Sequence, residues 1–515
     1  MSEGFRERRE TVRAQMGGAA RIERLHARGE LTVREHIDGL LDAGSFEEQG
    51  TFVVSANPAD RDSTPGDGKI GGHGTIDGRP VTVAGDDITV KRGSSSLMGT
   101  RRLTKLFAHA GRCGHPIVYF GATGGARIPD TLGSAGFSQV GPGTQLFRRS
   151  RSVPMATVIV GDSFGGSSFF AAASDLVVQL RGTCLAVTSP LVVEVATGER
   201  PSMEELGGAD VHAKVTGQAD LAVDTPAEAY AVVRRFLALL PAHQGERAAR
   251  RLPDEARPAE TGDGAPRGWL APDPELPALV PERRSRAYDV RKPLRRILDP
   301  DTLLELGPGY GRSLLTGLAR LDGHAVGVIA SQPRFFAGAL DPAACEKAVR
   351  LLCLCDAFDL PVLFVQDVPG FFVGRAVEHA GMLKHAIRLQ TALALSQAPK
   401  LTLLLRKSYG LAYFSLGGNG TGVDAVYAWP GAEISFMDPQ VAANVVSGGD
   451  PATAEAALAA MEAQTDPYGA AGLMNIDEII DPADTRAVLA RALGRLDGRP
   501  LARGWERPLA SWPTC

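Results

Sequence analysis

Short, unbroken apolar runs punctuate the chain, and a glycine-bearing turn follows each. Residues 156–160 (ATVIV) and 401–405 (LTLLL) are apolar at nearly every position and too short for buried helices, so they predict buried strands. Each leads into a turn of one kind, residues 163–168 (SFGGSS) and 408–413 (SYGLAY), after which a helix can start. Residues 344–358 (ACEKAVRLLCLCDAF) carry a helical apolar pattern. Strands alternating with helices predict an α/β fold with parallel or mixed sheets.

The two turns belong to a longer repeat. Residues 76–87 (IDGRPVTVAGDD) match residues 321–332 (LDGHAVGVIASQ) at a shift of 322 − 77 = 245, and 408 − 163 is again 245. The same shift lays residues 118–129 (VYFGATGGARIP) over residues 363–374 (LFVQDVPGFFVG), with Gly125 on Gly370. A shift held over roughly 90 residues identifies a domain duplication. Between the copies, residues 241–284 are crowded with proline, glycine and charge and read as a linker. The expected organisation is therefore a helical arm at 1–30, a first domain at 31–240, the linker, and a second domain at 285–515.

Length supports that division, because 515 residues exceed what one ordinary core holds. Glycine, 60 of 515, stands at about 12% against an average near 7%, which asks for many tight turns and close backbone approaches. A net charge of -4 gives no electrostatic case for nucleic acid or an anionic membrane, and no apolar run approaches bilayer length. The six cysteines are scattered, without CxxC pairs, and no HExxH is present. The expectation is no disulfide framework, no metal site and a reducing, cytoplasmic setting. The arginines of the N-terminal arm are interleaved with Glu3, Glu7, Glu10 and Glu23 and read as a solvated helix rather than a targeting segment.

Glycine turns between strand and helix expose main-chain N–H groups beside the positive end of a helix. Each half offers two of them: Gly124–Gly125 and Gly165–Gly166 in the first, Pro369–Gly370 and Gly410–Leu411 in the second. Paired amides of this kind can hold a developing oxyanion without any particular side chain. Two such sites suggest two substrates meeting.

The residues at these turns also carry a resemblance. DDITVKRGS (86–94), TGGARIPD (123–130), MEELGGADVH (203–212), SQPRFFAGALD (331–341), CDAFDLPVLFVQDVPGFFVG (355–374), RKSYGLAY (406–413) and YAWPGAEISFM (427–437) resemble the carboxyltransferase (β) subunit of biotin-dependent acyl-CoA carboxylases. That family includes the propionyl-CoA, acetyl-CoA and methylcrotonyl-CoA carboxylases and is built from two crotonase-like domains; the similarity covers nearly the whole chain. It implies that the first domain binds the acyl-CoA and the second binds carboxybiotin. The thioester enolate would be held by the amides of Gly165 and Gly166, and the ureido oxygen of biotin by those of Leu411 and Ala412. Gly124, Gly125, Gly370, Phe371, Tyr413 and Phe414 would face the substrates. Lys91 and Arg92, with Arg101 and Arg102, fall in the segment that faces CoA, and Arg127 is a further candidate cation. The biotin nitrogen serves as base, so no side chain is required for that role.

Two stretches, one in each half, depart from the family pattern. Leu411 and Phe414 stand where a glycine and an acid are usual, and Ser167 and Ser168 replace a small apolar pair. No P-loop and no Met-Lys-Met biotin-acceptor motif is present, so the biotin carboxylase and biotin carrier are expected on a separate α subunit, and the resemblance implies a homo-hexamer. Beside a non-catalytic scaffold subunit, for which the altered second half is the motive, two enzymatic alternatives stay open. One is a biotin-independent or decarboxylating relative acting on a malonyl- or methylmalonyl-type thioester. The other is a serine hydrolase, because residues 161–165 (GDSFG) match GxSxG with Ser163 as nucleophile.

Overall fold

Asp77–Gly78 and Asp322–Gly323 each take positive φ at both residues, 51° and 75° in the first pair, 50° and 75° in the second. Consecutive positive φ matches the twist of a tight hairpin. Each pair joins two long antiparallel strands, Lys69–Ile76 to Arg79–Asp86 and Leu314–Leu321 to His324–Ser331. A carboxylate braces each turn: Asp42 accepts from the N–H groups of Asp77 and Gly78 at 3.0 and 2.9 Å, Asp299 from those of Asp322 and Gly323 at 2.9 and 2.8 Å.

These hairpins open two sheets in a computed structural model that describes residues 2–139, 151–252, 270–448, 451–502 and 507–512. The chain divides into two units, the first running to Ala238 and taking in Ala242–Gln244, the second comprising Leu239–Pro241 and the residues from Gly245. In the first unit the hairpin is followed by the parallel strands Ile117–Gly121, Met155–Ile159, Leu176–Leu180 and Leu221–Val223. In the second, Val362–Val368, Lys400–Tyr409, Ala425–Ala428 and Glu478–Ile479 follow in the same order and sense.

The repeat is written into the strand register. Thr82 pairs with Ile117 and Gly327 with Val362; Ile117 pairs with Met155 and Val362 with Lys400. Each difference (327 − 82, 362 − 117, 400 − 155) is 245. Beyond the second glycine turn the shift becomes 249, because Ala156 pairs with Leu176 while Leu401 pairs with Ala425. Asp175 and Asp424 bound the four extra residues: they accept from the N–H groups of Met155 at 2.9 Å and Lys400 at 2.7 Å. The insertion therefore lies in the glycine-rich loop before Asp424.

The helices pack as their sequences ask. Leu97–Cys113 starts on a Ser96 cap and lays Leu103, Leu106 and Ala110 against Tyr119, Met155 and Phe170. The helix expected at 344–358 runs Pro342–Ala357 from an Asp341 cap and is buried on nearly all sides. It buries even Lys347, whose ammonium donates to the carbonyls of Gly307, Tyr310 and Leu314 at 2.8–3.0 Å. The N-terminal arm forms the helices Ser2–Gln15 and Ala19–His26. Of the expected linker, residues 253–269 lie outside the described residues, and those from 245 to 252 and 270 to 284 belong to the second unit. Among the described residues no helix is long and apolar enough to cross a membrane.

Candidate active site

In the first unit three loops converge. Ser95 donates its N–H to the Gly125 carbonyl at 2.8 Å, and Arg127 returns one to Ser95 at 2.9 Å. The Phe164 N–H reaches the Thr123 carbonyl at 3.1 Å, and a Cβ on Gly165 would stand 3.9 Å from the Gly125 Cα. Gly165 sits at φ 65°, ψ −120° as the residue that starts the helix Gly166–Ala172. That backbone is closed to ordinary side chains.

The amides are not equivalent. Gly165 donates to the Val187 carbonyl at 3.2 Å and Gly124 to the Arg92 carbonyl at 2.9 Å, so both are engaged internally. Gly125 points at the Thr123 hydroxyl at a long 3.3 Å. Gly166, in the first helical turn, has no internal acceptor among the described residues. This corrects the expectation for Gly165: it shapes the turn, and Gly166 is the open donor.

A buried polar network lies under the turn. Asp86 accepts from the Lys69 ammonium, the Tyr119 hydroxyl at 2.6 Å, the Ser167 hydroxyl and the Ala122 N–H at 2.9 Å. Lys69 also donates to the Gly93 carbonyl at 2.7 Å. Burial, then the Asp86 charge, raises the Tyr119 phenol well above its ordinary range, so it stays protonated and donating. Asp86 thus ties the strand end before the first turn to the helix after the second. Ser167, a departure from the family pattern, is explained by this network. Ser168 donates to the Gly165 carbonyl at 2.6 Å.

Beside this turn opens a cavity of about 670 Å³ lined by Arg21, Arg24, Arg28, Arg92 and Arg181, with Glu30, Asp162 and Asp224 among them. Arg28 is paired with Glu30 at 2.7 Å and Arg181 with Asp224 at 3.1 Å. Arg92 has φ 57° and its neighbour Lys91 φ 48°, a left-handed pair that places Arg92 next to Gly124. Burial raises the Asp162 carboxyl, with Cys184's N–H and Arg92 opposing it. Three arginines of the N-terminal segment were missed as site residues. Their spacing at 21, 24 and 28 is that of one helical face, and that was the available signal, although Arg28 falls in the turn after the helix Ala19–His26.

Other cations are placed differently from the expectation. Arg127 is buried and its guanidinium is held by Asp67, with Asp130 at 3.8 Å, so it braces the turn rather than facing a ligand. Arg102 is likewise buried, donating to the Lys69 carbonyl at 2.6 Å and pairing with Glu48 at 3.2 Å. Lys91 is exposed, with Asp60 at 3.3 Å. Ser163 Oγ is buried without a hydrogen-bond partner, so no histidine is placed to activate it and the hydrolase elbow is not formed.

The second unit repeats the loop geometry with other side chains. Leu340 donates to Gly370 at 3.1 Å and Phe372 to Leu340 at 2.8 Å, the counterparts of the two Ser95 bonds at the repeat shift. Gly370 has φ 134° and Gly410 φ 61°, while Phe336 and Ala337 repeat the left-handed pair at 49° and 53°. Leu411 is absent from the positive-φ positions, so its backbone needs no glycine. Its N–H and that of Ala412 lie in the first turn of the helix Gly410–Ser415 and meet no internal acceptor among the described residues.

The side chains of that helix divide. Leu411 is 64% exposed and Phe414 42% exposed, whereas Tyr413 is buried. Its hydroxyl accepts from the Asn419 N–H at 2.9 Å, so Tyr413 holds the inserted loop rather than facing a substrate. Phe371 is half-buried and bridges to Leu340. Phe414 is the counterpart, at the repeat shift, of Phe169, which is 49% exposed. Asp367, at the strand end before the Pro369–Gly370 turn, is buried in an ion pair with Arg406 at 2.9 Å and Lys407 at 3.4 Å.

Residues 24–507 match the carboxyl transferase domain family. The methylmalonyl-CoA carboxyltransferase 12S subunit of Propionibacterium freudenreichii subsp. shermanii is 34% identical, over 95% of this chain and 93% of its own length. The propionyl-CoA carboxylase carboxyltransferase subunit of Haloferax mediterranei is 34% identical over 96% of each chain. The methylmalonyl-CoA decarboxylase subunit alpha of Veillonella parvula is 33% identical, over 93% of this chain and 92% of its own. A solved transcarboxylase 12S hexamer with methylmalonyl-coenzyme A bound superposes with a TM-score of 0.88 at 33% identity, covering 98% of this chain and 96% of that one.

Proposed function

The chain belongs to the carboxyl transferase family, and from that premise we propose that it moves a carboxyl group between biotin and the α-carbon of an acyl-CoA. The observation that carries the reading is the duplicated turn with open first-turn amides, Gly166 in one unit and Leu411 with Ala412 in the other. Gly166 stabilises the oxyanion of the thioester enolate, with the helix dipole behind it. Leu411 and Ala412 hold the ureido oxygen of biotin, and their fit is supported by free donors beside the exposed apolar faces of Leu411 and Phe414. When bound, biotin supplies the carboxyl group and the nitrogen that takes the α-proton. Gly370 and Phe371 flank the biotin side, and Gly124 and Gly125 line the acyl side.

Arg92 and Arg24, for which no ion pair is seen among the described residues, are assigned to the phosphates of CoA. Biotin would arrive on a carrier subunit with its own carboxylase. Equivalent apolar helices stand exposed in both units, Pro190–Thr197 with Val195 82% exposed and Pro439–Ser447 with Val445 69% exposed. They support a homo-oligomer, for which the hexamer of the 12S relative is the pattern. The five described cysteines are all free, which agrees with a cytoplasmic setting.

Gly166→Pro tests the hole. Proline is tolerated at the first helical position and removes the donor; a Cβ there stands 3.1 Å from the Ser95 hydroxyl oxygen, so the adjustment falls on that one side chain. Carboxylation of acyl-CoA, assayed with a biotin carboxylase and carrier, should fall ~10²–10³-fold (about 2.7–4 kcal/mol) at unchanged thermal stability. Activity within a factor of three of the parent would refute the assignment. The decarboxylase relative favours a second reading, since loss of CO2 from a methylmalonyl-type thioester leaves the same enolate. CO2 release from such a thioester by the chain alone, without any biotin, would select it.

A further inference from the structure

Away from these turns, on the first unit, four metal-ligating side chains gather where no part of the carboxyl-transfer reading uses them. His73 lies on the strand Lys69–Ile76, His109 and Cys113 one helical turn apart at the end of Leu97–Cys113, and His115 on the turn that follows. The ring centroids of His73 and His109 are 4.7 Å apart, His73 and His115 5.9 Å, and His109 and His115 6.3 Å. Cys113 Sγ is 3.4 Å from His109 Nε2.

The Cys113–His109 and His73–His109 spacings are those of a coordination sphere, whereas the two to His115 are about 1 Å longer and close only on binding. Tetrahedral zinc with sulfur at about 2.3 Å and nitrogen at about 2.0 Å puts such donors about 3.5 Å apart, and imidazoles on one ion have centroids about 5 Å apart. Two ring nitrogens, His73 Nε2 and His115 Nδ1, are buried with no hydrogen-bond partner. An orphaned buried nitrogen is costly, and a metal ion relieves it. His73 Nδ1 is meanwhile 3.0 Å from the Thr82 hydroxyl, the kind of outer contact that fixes a ligand's tautomer.

We propose that His73, His109, His115 and Cys113 form a binding site for a divalent transition-metal ion of the zinc class. Among the described residues no three such donors already converge on one point. Cys113 is exposed and His109 and His115 are half-buried at and just beyond a helix end, where side-chain rotation can bring their donors together. On binding, the Cys113 thiol gives its proton to solvent and coordinates as thiolate. The sequence expectation of no metal site rested on the lack of regular Cys/His spacing along the chain. Here the fourth ligand, His73, comes from a separate strand well ahead of the other three in the chain.

The test uses the tag-free, full-length chain, stripped with a chelator, dialysed and titrated with Co²⁺. The expected result is one Co²⁺ per chain, with visible bands of a tetrahedral site and a near-ultraviolet thiolate charge-transfer band, both displaced by Zn²⁺. Cys113→Ser should lose the charge-transfer band, His109→Ala should lose saturable binding, and Thr82→Val should weaken affinity ~10–100-fold. Circular dichroism of each stripped variant checks that it is folded like the stripped parent. Absence of saturable binding by the parent, or a spectrum that Cys113→Ser and His109→Ala leave unchanged in folded protein, overturns the proposal.

Discussion

Replacing Asp86 by asparagine keeps the shape of the side chain and removes its charge. In the parent, Asp86 and Lys69 are both buried, with side-chain exposures of 0% and 3%. The carboxylate also accepts from Tyr119, Ser167 and Ala122. Asp86→Asn leaves the ammonium with the Gly93 carbonyl as its acceptor. Breaking one side of a buried pair costs about 3–5 kcal/mol, because the stranded charge cannot reach water. For a unit of this size that is a fall in melting temperature on the order of 10 °C. Adding Lys69→Met removes the stranded charge, so the double variant should recover part of the loss, with a coupling of about 1–3 kcal/mol. Urea unfolding of the full chain, followed with the single and double variants, measures this. A second readout is kcat/KM, which should fall even below the melting range because Asp86 ties both turns together. Stability of Asp86→Asn within about 1 kcal/mol of the parent, or strictly additive losses in the double variant, would refute the reasoning.

The cavity arginines make a separable prediction: Arg24→Ala and Arg92→Ala should raise KM for acyl-CoA while leaving the acyl-pantetheine reaction unchanged, and equal effects on both thioesters would remove them from the phosphate site. Phe414→Asp, which puts an acid on the exposed face of its helix, should shift preference among acyl-CoAs of different length, read as ratios of kcat/KM; Leu411→Gly should change kcat/KM less than threefold, since its backbone is already ordinary. Burial lowers the His36 imidazole from its ordinary 6.5 to about 4, so the folded chain keeps it neutral. As pH falls below about 6.5 the unfolded chain binds a proton that the folded one does not, and stability drops by about 3 kcal/mol by pH 4. Urea unfolding at pH 7 and pH 4.5 should show this drop in the parent and a smaller one in His36→Gln; equal drops would refute it.

Much of the fold was legible because it is a repeat. The shift of 245, visible in three short matches, recurs in the strand register, since each strand must bury the same face against its neighbours. The change to 249 was not legible, because the four-residue insertion sits in a glycine-rich loop with no apolar pattern to betray it. Turn chemistry made Gly166, Leu411 and Ala412 legible as first-turn amides, and among the described residues they meet no internal acceptor. Gly165 was misassigned because two adjacent glycines look alike in sequence; which one points its N–H at Val187 depends on the placement of a later strand, Leu185–Ala186. Arg127 and Tyr413 were read as ligand contacts for a related reason: their buried partners, Asp67 and the Asn419 N–H, come from segments whose proximity no local pattern announces.

The same duplication puts two different sets of side chains on one loop design. Lys91 and Arg92 occupy a left-handed pair in the first unit, and Phe336 and Ala337 occupy the equivalent positions in the second, with φ values between 48° and 57°. Non-glycine residues hold such a backbone only where surrounding bonds fix it, and here the fixing bonds are also repeated: Gly93 donates to Val90 and Gly338 to Phe335, each at 2.9 Å. The backbone strain is therefore common to both units, and the side chains alone differ. Arg92 beside Gly124 suits a polyphosphate, whereas Phe336, packed at 5.0 Å on Phe372, suits an uncharged ring system. On the proposed reading, specificity for CoA on one side and a neutral heterocycle on the other would reside in what is hung on an unchanged loop. Exchanging the pair, Lys91→Phe with Arg92→Ala, should leave the fold intact, and it should cost acyl-CoA affinity without affecting reactions at the second unit's turn.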